Sequence, residues 1–254
     1  MNTFITLIAF LSALLTSGAG LAAPTAPPCP INEAIRHPEH QALGQIADRL
    51  TNRDRRQRDI RIVALGSSST QGYGAASPEQ SYPSQLSIEL TKRLPGVSLT
   101  VFNEGVGGET ISTMARRINS DVLTHDPDLI IWQVGSNALL QGVDPKQVQA
   151  GLIEGIETIK RHKVALVLMG MQYAPRIIEN HSHQQIRNLI IQTSQDYQIP
   201  LFDRYGLMQF WESELSDRQL DDWIHQDGLH MTGPSYQCLA NALAEYLLAL
   251  RPRH

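Results

Sequence analysis

Charge of either sign is sparse in this chain. Its 254 residues hold 21 Lys and Arg against 25 Asp and Glu, a formal net charge of −4. No Arg/Lys face stands out, so nothing electrostatic argues for nucleic acid as a partner. The basic cluster Arg53, Arg55, Arg56 and Arg58 is interleaved with Asp48, Asp54 and Asp59, and reads as a solvated helix end. Cysteine is scarce, with 2 in the chain, and neither lies at a metal-like spacing from histidine. His181-Ser182-His183 alone is a poor zinc signal, and no metal or organic cofactor is called for. There is no internal repeat and no long low-complexity segment. With 42% of its residues hydrophobic, the chain fits one ordinary globular domain with a large core.

Long apolar runs are also missing, with one exception. Phe4 to Leu21 is almost wholly apolar and is followed by Ala22-Ala23-Pro24, the profile of a signal peptide and its small-residue cleavage site. Met1-Asn2-Thr3 lacks the usual Lys or Arg. An uncleaved anchor would need about 20 apolar residues, and Ser12, Thr16, Ser17 and Gly18 dilute this stretch. The expectation is export with cleavage near Ala22, a periplasmic or secreted protein, and no stable membrane insertion afterwards. Two cysteines in an exported chain are expected to pair as Cys29–Cys238. The alternative is one buried and one exposed thiol.

The organisation expected is a signal over 1–22, a linker and helical extension over 23–58, and the functional domain over 59–254. Glu33 to Arg58 reads as one or two polar helices. Strand-like runs then alternate with helical patterns, which implies βαβ units and a parallel sheet. The strands are read at Arg61–Leu65, Ser98–Phe102, Leu129–Val134, Val164–Met169 and Ile199–Phe202. Helices are read from Ser81-Tyr82-Pro83, from Thr110 with Ile111, Met114, Ile118 and Val122 on one face, from Asp144-Pro145, and from Thr232. These strands predict an α/β, flavodoxin-like three-layer sandwich with strand order 2-1-3-4-5. In that order strands one and three are neighbours.

Several strand ends carry reactive chemistry. Ser68 stands in Gly66-Ser67-Ser68-Ser69-Thr70-Gln71-Gly72, directly after the first strand. The carboxyl ends of parallel strands are where ligands bind, and a serine there has a hydroxyl close to free backbone N–H groups. A plain Ser/Gly turn would explain that segment alone. Asp227-Gly228-Leu229-His230 lies near the C-terminus. A carboxylate three residues before a histidine can take its Nδ1–H, leaving Nε2 free to receive a serine proton. Gly105-Val106-Gly107-Gly108 and Val134-Gly135-Ser136-Asn137 follow two further strands. Gly108 could offer a bare N–H, and Asn137 its side-chain amide, to one oxyanion. Turn residues and a loop cap are the plainer reading of these two.

Taken together, these blocks resemble the SGNH hydrolases, also called GDSL-type esterases and lipases, over roughly Asp59 to Leu250. The resemblance implies a nucleophile at Ser68, oxyanion donors at the Ser68 N–H, Gly108 and Asn137, and the acid and base at Asp227 and His230. Two positions depart from the family pattern: Ser67 stands where Asp usually precedes the nucleophile, and Ala138 where Asp often follows the asparagine. The α/β-hydrolases share the order Ser, Asp, His, but their elbow needs Gly two residues after the nucleophile. Here that residue is Thr70.

The implied reaction is acyl transfer through an acyl-enzyme, with a small-molecule or glycan ester as substrate. The pKa of His230 is expected near or somewhat above the unperturbed value of about 6.5. His225 and the carboxylates Asp203 and Asp222 are weaker alternatives for base and orienting acid. Gln71, Tyr73, Gln133, Gln172, Tyr173 and Trp223 flank the site loops. Amide and aromatic groups together suit a polar, sugar-like or short-acyl ester, although Tyr173 and Trp223 could be half-buried anchors. An extracytoplasmic transacylase acting on a glycan, or a non-catalytic carbohydrate-binding relative, are the rival readings.

Overall fold

The computed structural model describes residues 29–36, 59–214 and 223–250. The signal-peptide expectation, and the polar helices expected over 33–58 beyond Arg36, lie outside these residues. At the centre, the short apolar runs pair into one sheet. β1 (Ile60–Gly66), β2 (Leu99–Gly105), β3 (Leu129–Gln133), β4 (Ala165–Met169) and β5 (Leu201–Phe202) lie in the order β2-β1-β3-β4-β5, all parallel. This is the 2-1-3-4-5 order expected from the sequence. Ile62 to Leu65 and Leu129 to Trp132 are fully buried, because helices cover both faces of the central strands. β2 is an edge strand and stays partly open. β5 is shorter than expected: Pro200 has no N–H to give the ladder, so pairing begins at Leu201.

The helices are α1 (Glu33–Arg36), α2 (Ser68–Gln71), α3 (Tyr82–Arg93), α4 (Ile111–Arg116), α5 (Ser136–Leu140) and α6 (Pro145–Arg161). They continue with α7 (Pro175–Ile178), α8 (His183–Asp196), α9 (Arg204–Glu214) and α10 (Gly233–Ala249). Ser81, Thr110, Asp144 and Thr232 each stand at the N-cap read from the sequence. Asp144 accepts from the Lys146 N–H, and Thr110 with Thr113 forms a capping box. The helix expected to run from Thr110 through Val122 breaks at Arg117 into a π-helical segment, Ile118–Val122. The break coincides with a demand on Arg117, whose guanidinium turns to the Gly66 and Glu104 carbonyls and to Glu109.

Packing is close where helix meets sheet. A Cβ added at Gly155 of α6 would lie 2.1 Å from the Trp132 ring of β3, so only glycine lets the helix seat on that indole. The two cysteines are joined, Cys29 to Cys238, across 209 residues of sequence. The bond fastens the segment before α1 to α10, and Trp211 Nε1 donates to the Pro30 carbonyl beside it at 2.8 Å. Closing a loop of that length is worth on the order of 5 kcal/mol in the chain-entropy picture. No helix among the described residues is long and apolar enough to cross a membrane.

Candidate active site

β1 ends at Gly66 and the chain turns at once into α2, whose first residue is Ser68. The turn admits no side chain at its pivot: a Cβ at Gly66 would lie 1.9 Å from Thr70 Oγ1. It is pinned from below by Gln133, the last residue of β3. The Gln133 Oε1 accepts from the Ser67 N–H and the Ser67 hydroxyl at 3.0 Å each, and from Thr70 Oγ1 at 3.3 Å. Where the family pattern has Asp before the nucleophile, this chain therefore uses a serine tied to a buried amide. Ser68 Oγ, half-buried, stands 2.6 Å from His230 Nε2.

The histidine is delivered by a tight loop ahead of α10. His225 N–H donates to the His230 carbonyl, Gly228 N–H donates to the His225 carbonyl, and Gly228 takes φ 69°. That turn folds Asp227 back over His230. Asp227 Oδ1 accepts from the backbone N–H groups of Leu229 and His230 at 2.9 and 3.0 Å, and Oδ2 lies 2.6 Å from His230 Nδ1. Burial alone would raise the Asp227 pKa. The hydrogen bonds from His230 and Leu229 outweigh it and hold the carboxyl at about 2. His230 is 8% exposed. Burial pushes its pKa below the ordinary value, against the pull of Asp227, with the His225 and Arg176 charges adding to the depression. The expected value near or above 6.5 is thus corrected downward, because desolvation of the imidazolium dominates.

Neither described alternative reaches the Ser68–His230 pair with a side-chain hydrogen bond. His225 Nδ1 accepts from the Asp227 N–H at 3.3 Å and makes no hydrogen bond to Ser68. Asp203 binds Arg187 at 2.7 Å and accepts from the Gly206 N–H. Asp222 lies outside the described residues.

The oxyanion candidates come from two loops that brace each other. Gly108 sits in the exposed turn after β2 with φ 81°, a left-handed conformation that favours glycine. Its carbonyl accepts from Gln141 Nε2 at 2.8 Å, and the neighbouring Glu109 carbonyl accepts from Asn137 Nδ2 at 2.9 Å. The Asn137 amide carries a second hydrogen. Ser68 begins a helix, so its own N–H has no intrahelical acceptor. Arg117 holds Glu109 at 2.7 Å together with the Gly66 and Glu104 carbonyls, so the ends of β1 and β2 share one cation. Gln141 and Arg117 were not read from the sequence as site residues, since neither lies in a recognisable motif.

The flanking residues divide into two groups. Tyr73 is 54% exposed, and its ring centroid lies 4.4 Å from that of His230, tilted by 48°. Gln71 is exposed on the other side, where its Oε1 lies within 3.1 Å of a Cβ built at Gly107. Tyr173 is half-buried; its hydroxyl donates to Glu212 at 2.7 Å, which pushes its pKa up to about 12. Gln172 and Trp223, both expected to flank the substrate, are buried. Trp223 is buried and stacks on Trp211 at 5.2 Å. Gln172 is 1% exposed, with both ends of its amide bonded to protein. Gln133, which flanks the same loops in sequence, is likewise buried.

Known proteins align with this architecture. The sequence pattern of the non-GDSL lipase-like family matches residues 28–250. An arylesterase of Vibrio mimicus is 26% identical over 192 residues, which cover 76% of this chain and 90% of that protein. The solved structure of an SGNH-hydrolase family esterase matches with TM-score 0.53 and 26% identity, over 67% of this chain and 89% of the other. A two-domain esterase active on acetylated mannans matches with TM-score 0.65 and 20% identity, over 83% of this chain. This chain spans 54% of that esterase's length, and at such identity the likeness concerns the fold. The chain is an SGNH hydrolase of the non-GDSL lipase-like family.

Proposed function

We propose that the protein is a serine carboxylic-ester hydrolase that works outside the cytoplasm through an acyl-enzyme. The observation that carries this reading is the unbroken line Ser68 Oγ–His230–Asp227, with both links at 2.6 Å. Asp227 is ionised and holds the Nδ1–H, so Nε2 is the basic nitrogen facing the serine. His230 takes the Ser68 proton as Oγ attacks the ester carbonyl. The negative charge moves onto the carbonyl oxygen, where the Ser68 and Gly108 N–H groups and the Asn137 amide receive it. Collapse breaks the bond to the alcohol, and the imidazolium returns its proton to that leaving oxygen. A water deprotonated by His230 then attacks the acyl-enzyme, releasing the acid and restoring the Ser68 hydroxyl.

The surroundings favour a small acyl group and a ring-bearing alcohol. Val106, Gly107 and Gly108 form an exposed wall. The leaving oxygen must approach His230, whose ring lies beneath the exposed Tyr73. An aromatic face there suits an aryl group or the apolar face of a sugar. The aryl and acetyl-mannan activities named for the relatives point the same way. Export is supported by the apolar N-terminal run and by the Cys29–Cys238 bond.

A chain-length series of p-nitrophenyl esters tests the substrate reading. Each CH₂ buried in an apolar channel would add about 0.8 kcal/mol, so a lipase gains kcat/KM steadily with length. The expected outcome here is a maximum at acetyl to butyryl, with a fall beyond about eight carbons as the tail stays in water. A peak at twelve or more carbons, on the order of a lipid tail, would overturn the short-acyl reading. Sugar acylation that exceeds hydrolysis would replace hydrolase by transacylase.

A further inference from the structure

Arg204 opens α9 at the far end of the sheet, and it is fully buried. Among the described residues no carboxylate lies within ion-pair distance of it. Its Nε donates to the Gly170 carbonyl at 3.0 Å and its Nη2 to Gln172 Oε1 at 2.7 Å, while Nη1 has no hydrogen-bond partner. A desolvated guanidinium with no counter-ion among the described residues is a costly choice for a core, and an apolar residue would serve stability better.

What the cation does is orient an amide. Gln172 Oε1 accepts both from Arg204 and from the Ser136 hydroxyl, the latter at 2.6 Å. With two donors on Oε1, the Gln172 NH₂ must face the other way, and it donates to the Leu229 carbonyl at 3.3 Å. Ser136 immediately precedes Asn137, and Leu229 immediately precedes His230. The buried amide therefore bridges the loop that carries an oxyanion donor to the loop that carries the base. Arg204 and the Leu229 carbonyl fix the same amide orientation from opposite ends, whereas the Ser136 hydroxyl can either donate or accept and fixes none.

We propose that Arg204 and Gln172 are positioning residues that set Asn137 and His230 relative to each other across the site. The proposal rests on the serine-hydrolase reading above. It also accounts for the absence of a counter-ion among the described residues. A glutamate at position 172 would pair with Arg204, but its second oxygen would meet the Leu229 carbonyl, acceptor against acceptor. The amide at 172 leaves Arg204 without a carboxylate among the described residues and keeps the donor that the base loop needs.

Gln172→Glu separates positioning from stability, because it supplies a counter-ion and removes the donor. The expected result is a thermal midpoint equal to or above that of wild type, with kcat lower by about 10- to 100-fold at a KM within about threefold, as misplacement of catalytic groups does. Fluorophosphonate labelling of Ser68 should slow in step with kcat. A kcat within about twofold of wild type in a folded Gln172→Glu protein would overturn the proposal. Should that variant fail to fold, Ser136→Ala carries the test, with kcat expected to fall about three- to tenfold at unchanged KM. An unchanged kcat there would equally overturn it. Wild-type protein that takes no label at Ser68 would remove the hydrolase reading itself, and this proposal with it.

Discussion

The loops that leave β1, β2 and β3 each carry a polar group open to solvent at Ser68, Gly108 and Asn137, whereas those that leave β4 and β5 carry the buried pair Gln172 and Arg204. On the proposed reading, one half of this sheet edge supplies reacting groups and the other holds them in register. The difference reflects what each role demands. A reacting group must be reachable, whereas a support works best in low dielectric, where one hydrogen bond fixes one geometry.

The same contrast recurs within a single loop. His225 and His230 both approach Asp227 Oδ2, at 3.5 and 2.6 Å. His230 alone of the two reaches Ser68. The largest expected effect tests this difference: His230→Ala should lower kcat on p-nitrophenyl acetate by on the order of 10⁴- to 10⁶-fold. His225→Ala should cost less than about tenfold. Equal losses would mean that the base has been misassigned.

Next in size is Asn137→Ala. Loss of one oxyanion donor costs roughly 100- to 1000-fold in kcat. Here the Glu109 carbonyl would also lose the amide that braces it. A change of less than about tenfold in steady-state kcat would take Asn137 out of the oxyanion site.

The smallest effect concerns pH. The base must be neutral to accept the Ser68 proton, and burial depresses the His230 pKa. Lowering that pKa keeps the imidazole neutral to lower pH, so the acid limb of kcat/KM should fall below about 6.5. Asp227 stays ionised throughout that range, its pKa being about 2. A limb centred above about 7 would show that the pull of Asp227 outweighs desolvation.

Most of the exposed half was legible in the sequence, because its groups follow apolar runs in short contiguous motifs. Ser68 after Arg61–Leu65 and Asn137 after Leu129–Val134 need only the strand order to be brought together. Asp227 and His230 are three residues apart, so local geometry suffices. The buried half was not legible. Gln172 could be placed near the site from its position after the fourth strand, but nothing local says that its amide turns inward. Its partners lie 36 residues away at Ser136 and 32 away at Arg204. An arginine at a helix start ordinarily reads as solvated charge, and its burial is a property of the whole fold. Helices α8 and α9 went unplaced although Ile186 and Ile190, and Leu207 and Trp211, recur at helical spacing and are buried. The π-helical break after α4 answers to Arg117, whose partners are carbonyls on two other strands.

The central claim is that Ser68, and neither of its serine neighbours, is the nucleophile. Ser67 is bonded to Gln133, and Ser69 is 2% exposed. Peptide mass spectrometry of the protein after reaction with a fluorophosphonate reads this directly. The account predicts one adduct, on Ser68, that is absent from Ser68→Ala and suppressed in His230→Ala. An adduct on Ser67 or Ser69, or undiminished labelling of the Ser68→Ala protein, would contradict it.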